Sequence, residues 1–428
     1  ANFTGAVTSA AYTVADTTGL RSTPADIAVT IAGPLVPGQT INGNGNANTL
    51  SGGAGHDVIN GLDGQDTLNG NDSNDVLDGG PGTDTVRGGD GNDIIIVRGQ
   101  QARFDVMDGG AGLADTIRVD PTGGDVVLLD TRRIADVEIF EGSGRSVIGG
   151  NGNDFLDFSI FAAVSGVVSI NGGGGNDTII GSNSGDVLLG GGGNDVLEGR
   201  DGEDLLDGGP GADAVFGGDG DDVILIRGDE ASTDTMDGGA GFDTILIDAA
   251  GGVVTLNGTA RIANVEHLIG NGQVILGTDA AEAFDFSSLT SVTGVASIRG
   301  MGGADAIIGS NQSDLIFGGG GDDVVSGAGG DDELNGGNGN DTFLFVKGRD
   351  TGANTIADFD VSGNDVIRFE GYDLGATDAA RLAAVQAATT FAGGNATIDL
   401  DALGGSGEIV VIGGQARLSF DATDFAFG

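Results

Sequence analysis

From Gly43 to Ile96 the chain reads GNGNANTLS GGAGHDVIN GLDGQDTLN GNDSNDVLD GGPGTDTVR GGDGNDIII, six nine-residue units in unbroken phase. A second run of six begins at Gly172 and ends at Leu225, and a third of five runs from Gly300 to Leu344. Across these seventeen units position 1 is always Gly, and position 6 is Asp except in the first, where Asn48 stands. Position 8 is apolar throughout, and position 4 is Gly except at Asn46, Ser73, Ser184 and Gln312. A longer period lies over the short one. LDGGPGTDTVRGGDGNDIII at 77–96 returns as LDGGPGADAVFGGDGDDVIL at 206–225, and IADVE at 134–138 returns as IANVE at 262–266. The middle of the chain is therefore a tandem duplication of a repeat run followed by a spacer.

Each unit divides into a glycine-rich turn that ends in Asp and a three-residue strand. The turn needs backbone freedom that only Gly supplies without strain. The central strand residue points inward, because successive side chains alternate faces. Two units make one coil, so unit i lies over unit i+2 and the position-8 aliphatics fill a thin core. The fold class is all-β, a parallel solenoid.

Of 428 residues 86 are Gly, against a usual share of about 7%. The 6 prolines and the lack of a three-residue glycine period exclude collagen. Acids number 64 against 17 Lys and Arg, a net charge of −47. Such a surface repels nucleic acid and anionic membranes. Stacking the turns sets one Asp above another, which is costly like-charge crowding. A hard divalent cation that takes six to eight oxygens relieves it, with turn carbonyls completing the shell. Calcium fits better than magnesium, which keeps its waters. Zinc is disfavoured by the absence of Cys and by only two histidines, His56 and His267.

This pattern resembles the RTX, or hemolysin-type, calcium-binding repeats, whose nonapeptide is GGxGxDxUx. The resemblance implies a parallel β-roll with Ca²⁺ held in its turns and secretion from a Gram-negative bacterium. It implies as ligands Asp57, Asp66, Asp75, Asp84 and Asp93 in the first run. In the second run it implies Asp177, Asp186, Asp195, Asp204, Asp213 and Asp222, with Asp243 beyond it. In the third it implies Asp305, Asp314, Asp323, Asp332 and Asp341. Roughly four, four and three interior sites follow if each ion needs two stacked turns.

The organisation expected is an N-terminal β cap or assembly segment at 1–40, and a first run with its spacer at 41–171. The tandem copy spans 172–299, the third run 300–345, and a C-terminal cap 346–428. The spacers read either as wider rungs of one solenoid or as small separate β-domains, and Asp108, Asp115 and Asp237 are weaker ligand candidates there. Thr377 is placed to cap a helix over 378–388, with strands ATIDL, EIVVI and ARLSF after it. The segment after the repeats resembles the C-terminal part of serralysins, and the closing DFAFG resembles a type I secretion signal. No HExxH accompanies it.

No enzyme is expected. There is no GxSxG and no Trp, and Tyr12 and Tyr372 are the only tyrosines, too few aromatic platforms for a polysaccharide groove. That leaves a polysaccharide-active β-helix as a minor reading. The leading expectation is a secreted structural protein that folds on extracellular calcium and self-assembles into a surface layer or filament. An adhesin or matrix protein that binds polysaccharide or cells is the alternative.

Overall fold

A computed structural model describes residues 37–228, 232–250, 253–359, 364–412 and 424–428, and the short antiparallel pair Ala10–Tyr12 and Ala25–Ile27. The expected role of residues 1–40 falls almost wholly outside these residues, as does the strand expected at ARLSF.

Within each run, strands pair in parallel with partners eighteen residues away, as in Thr40↔Val58, Val58↔Val76 and Val76↔Ile94. Two nonapeptides thus make one coil. The coil has two strand faces. One is continuous from Thr40–Asn42 through Ile139–Ile148 and His267–Leu276 to Glu408–Val411. The opposite face comes in three stretches, starting at Thr49–Ser51, Phe155–Asp157 and Ala283–Asp285. A bridge between Asp130 and Phe155 joins the first two stretches. A hydrogen bond from the Thr259 N–H to the Ala283 carbonyl, 2.9 Å, joins the last two. The solenoid has about 15 coils, which at roughly 4.8 Å each makes a rod of about 70 Å.

The core is one residue thick in the runs. Ile59, Leu68, Leu77, Leu188, Leu197, Ile316 and Leu334, all position-8 residues, are fully buried. The spacers continue the same parallel pairing with larger coils, because offsets grow to 22 at Ile94↔Thr116 and 24 at Ile139↔Ala163. Short 3-10 turns at Gln101–Phe104, Pro121–Gly123 and Thr131–Arg133 take up the extra residues of the first spacer. The wider interior admits rings: Phe140, Phe158 and Phe161 pack with centroids 5.1–5.6 Å apart. At the junction of run and spacer, Arg98 bridges Asp78 and Asp120, and Arg227 repeats this in the second copy with Asp207 and Asp248.

Beyond the third run a helix, Asp378–Ala387, starts at Thr377, whose side chain accepts the Ala380 N–H at 3.3 Å. Antiparallel strands Thr389–Ala392 and Asn395–Asp399 then close the end of the continuous face against Glu408–Val411. Phe425–Phe427 pairs in parallel with Ile367–Phe369, so the last residues form a rung of the opposite face.

Because a one-residue core cannot repack around a hole, Leu197→Ala should cost about 2–5 kcal/mol. Val168→Ala, at a site 58% exposed, should stay within about 0.5 kcal/mol. Denaturant titration of both calcium-loaded variants measures this.

Candidate metal centres

The position-6 carboxylates do not merely lie near one another; they are threaded into the backbone. Except at Asp186 and Asp314, which head their stacks, the Oδ1 of each accepts the backbone N–H of the equivalent residue one coil earlier. Six ladders result, with N···O distances of 2.7–3.2 Å. On one edge they run Asn48–Asp66–Asp84–Asp105, Asp154–Asp177–Asp195–Asp213–Asp234 and Glu282–Asp305–Asp323–Asp341–Asp365. On the other they run Asp57–Asp75–Asp93–Asp115–Glu138, Asp186–Asp204–Asp222–Asp243–Glu266 and Asp314–Asp332–Asn354.

The second oxygen divides the turns into two kinds. In the first turn of every ladder, the position-2 N–H bonds the side chain at position 6 of its own turn. The pairs are Asn44–Asn48, Gly53–Asp57, Gly150–Asp154, Ser182–Asp186, Thr278–Glu282 and Ser310–Asp314. The hydroxyls of Ser182, Ser310 and Thr278 add a second bond to the same carboxylate. In fifteen later turns among the described residues, position 2 instead takes positive φ, from 66° at Ala328 to 123° at Gly218. In those turns Oδ2 is buried without a hydrogen-bond partner at Asp66, Asp75, Asp84, Asp93, Asp115, Asp177, Asp195, Asp204, Asp222, Asp243, Asp305, Asp323, Asp332 and Asp341.

A bare buried carboxylate oxygen has lost its water and gained nothing, a cost of several kcal/mol. Its surroundings suit a hard cation. A β-carbon on Gly61 would stand 2.6 Å from Asp66 Oδ2 and 2.4 Å from the Gly79 carbonyl oxygen. One on Gly88 would stand 2.2 Å from Asp93 Oδ2 and 2.4 Å from the Gly109 carbonyl. The invariant position-1 glycine thus keeps open a cradle of carboxylate and carbonyl oxygens. Among the described residues no three acids or histidines converge on one point. Each centre therefore takes few carboxylates and many carbonyls, which is calcium's preference rather than zinc's.

Electrostatics agree. Burial, reinforced by neighbouring carboxylates and only partly offset by the Oδ1 hydrogen bond, pushes the Asp93, Asp177, Asp305 and Asp341 carboxyls up to about 6. The same causes raise Asp105, Asp204 and Asp332 to about 7.

The sequence-predicted ligands thus separate. Asp57, Asp186 and Asp314 head their ladders with their Oδ2 already engaged by protein donors, whereas the others occupy ladder interiors. Asp115 joins a ladder, Asp237 accepts from Asn264 Nδ2 at 2.7 Å, and Asp108 Oδ1 is buried without a hydrogen-bond partner. Sequence reasoning missed Asp105, Asp154, Asp234, Asp365, Glu138, Glu266, Glu282 and Asn354, which begin or end ladders. Glu138 and Glu266 close the duplicated IADVE and IANVE segments, a signal that was present in the repeat comparison. His56 replaces the position-5 Asn of its turn and accepts the Asn74 N–H at 3.1 Å, just as Asn74 accepts that of Asn92 at 3.0 Å.

Stacked glycine-aspartate turns with bare inward carboxylates define a calcium-binding β-solenoid. The family model for the RTX calcium-binding nonapeptide repeat matches at 39–68, 60–95, 169–197, 189–224, 230–245, 299–334, 308–343 and 317–351, so the chain carries RTX calcium-binding repeats. Among solved structures, the extracellular lipase LipA from Serratia marcescens is 20% identical over 71% of this chain, with a TM-score of 0.19. The chain spans 45% of that lipase. No curated protein matches the chain in sequence.

Two outcomes are expected. First, these raised carboxyls bind protons more tightly folded than unfolded, where Asp lies near 3.9. The metal-free fold therefore loses stability as pH rises from about 4 through about 7. Circular dichroism of calcium-free protein should show more β-structure at pH 5 than at pH 7.5. Second, Asp204→Asn and Asp323→Asn should each remove one bound calcium, while Asp186→Asn and Asp314→Asn should leave the count unchanged. Equilibrium dialysis with elemental analysis reads both pairs.

Proposed function

We propose that this chain is a secreted scaffold that folds when it meets extracellular calcium and then assembles with copies of itself into a surface layer or filament. The observation that carries the calcium step is the coincidence of the fifteen positive-φ turns with ladder interiors. Without a cation, those turns hold buried charge against its desolvation. Where calcium is scarce the chain stays open and exportable. At about 10⁻³ M calcium outside the cell, the range of weak extracellular sites, binding free energy becomes folding free energy.

Assembly is supported by what the rod exposes. Leu113 and Phe242 occupy matching turns of the two copies, each directly after a glycine, and are 90% and 64% exposed. Large apolar side chains repeated along one edge at the duplication period suit regular lateral contacts between rods. A surface of net charge −47 also needs a bridging cation before copies approach. Catalysis has no part in this reading. His56 serves the position-5 ladder and His267 pairs within a strand with Thr244 and Ser291.

Electron microscopy of purified protein at millimolar calcium should show ordered sheets or fibres that chelation dissolves together with the β-signal. Leu113→Asp with Phe242→Asp should keep the calcium-dependent fold and abolish the arrays. Monomeric rods that bind glycan would favour the adhesin instead.

A further inference from the structure

The two spacers are copies, and they differ in their interior. In the first, Phe140, Phe158 and Phe161 form a closed aromatic cluster, and the Arg132 guanidinium lies 4.8 Å from the Phe155 ring centroid over its outer side. At the corresponding positions the second copy has Leu268, Phe286, Leu289, Ala260 and Ala283. Two rings become leucines, and both partners of the cation–π lid become alanines. One change runs the other way: Leu156 becomes Phe284, which stacks on Phe286 with centroids 6.2 Å apart. Phe284 fills the core beside the gap and does not line it.

The result is a cavity of about 200 Å³, walled by Ile245, Val265, Leu268, Phe286 and Leu289. Its mouth carries Asn264, Asp285 and Ser288, where the first copy has Asp136, Asp157 and Ile160. Asp285 is exposed whereas Asp157 is half-buried, so the mouth faces outward in the second copy. An apolar void of about 150 Å³ suffices to admit a benzene-sized molecule.

We propose that this cavity is a binding site for a small uncharged aromatic molecule bearing a hydroxyl, of phenol size. The first copy shows what shape fits, since the chain's own phenylalanine rings occupy the equivalent space. The hydroxyl follows from the mouth: Asp285, whose Oδ1 already accepts from the Ser287 N–H and hydroxyl, offers its other oxygen as acceptor there, and Ser288 replaces an isoleucine. The same carboxylate, on a strongly acidic protein, rejects anions. The site adjoins a calcium ladder, because the carbonyl of Asn264 stands in the cradle of Asp243, so the test keeps the protein calcium-loaded throughout.

The test uses calcium-loaded full-length protein and 4-fluorophenol, followed by fluorine NMR. Wild type should bind one equivalent saturably, and 4-fluorobenzoate should bind at least tenfold more weakly. Leu268→Phe with Leu289→Phe, which restores the residues of the first copy, should weaken 4-fluorophenol binding at least tenfold. The reciprocal Phe140→Leu with Phe161→Leu, combined with Arg132→Ala and Phe155→Ala, should raise the stoichiometry from one to two. Failure of wild type to saturate, or unchanged binding in the filled variant, overturns the proposal. Should the reciprocal variant not fold, the filled variant alone decides.

Discussion

A carboxylate has two oxygens, and in this solenoid they do different things. Oδ1 of each repeat aspartate inside a ladder caps the backbone N–H one coil earlier, so the acid is part of the hydrogen-bonded stack. That role fixes the side chain and forces Oδ2 into the space over the position-1 glycine. Once the side chain is fixed, charge must be stacked on charge at every coil. Glycine at position 1, positive φ at position 2 and the demand for cations all follow from this one double use.

Ladder ends escape the demand. At the head of each ladder the turn closes on its own carboxylate, and Ser182, Ser310 and Thr278 supply a hydroxyl as well. At the far end Glu138, Glu266 and Asn354, with Asp105, Asp234 and Asp365, accept the last backbone N–H groups. Cations are therefore required only between these ends. Two ladders finish inside each spacer, and its aromatic or aliphatic interior there replaces ionic cohesion with apolar burial.

The solenoid and its inward aliphatics were legible from positions 1, 6 and 8, because those positions tolerate almost nothing else. The spacers were legible as strand because the duplication repeats their alternation. Position 2 was not legible. Its positive φ is borne by Leu62, Asn71, Arg200, Met301 and Ala328 as well as by glycines, so residue type conceals the conformation. Five side chains in a backbone region they disfavour mark strain held for a purpose. The closed turns were partly legible. The units of Ser182 and Ser310 also depart from glycine at position 4, with Ser184 and Gln312, and the path of the backbone then shows their N–H groups turned onto Asp186 and Asp314. The rough count of eleven interior sites did not follow the ladders. It divided the runs by length, whereas the ladders reach past them to Asp115 and Asp243.

Bounded ladders also shape how calcium folds the rod. In a linear array each coil touches only its neighbours, so stability is a sum of coil terms and interface terms. Here the interface term within a run is unfavourable until a cation enters, and favourable afterwards. Between runs, past the ladder ends, it is mainly apolar. The ladders of one run share every coil, since a coil contributes one turn to each edge. An ion on one edge orders the coil that presents the opposite turn and lowers the cost of ordering the next site. Cooperativity is thus built in within a run and interrupted at the spacers. On the proposed function, a chain so divided folds in calcium-triggered blocks joined by mainly apolar segments.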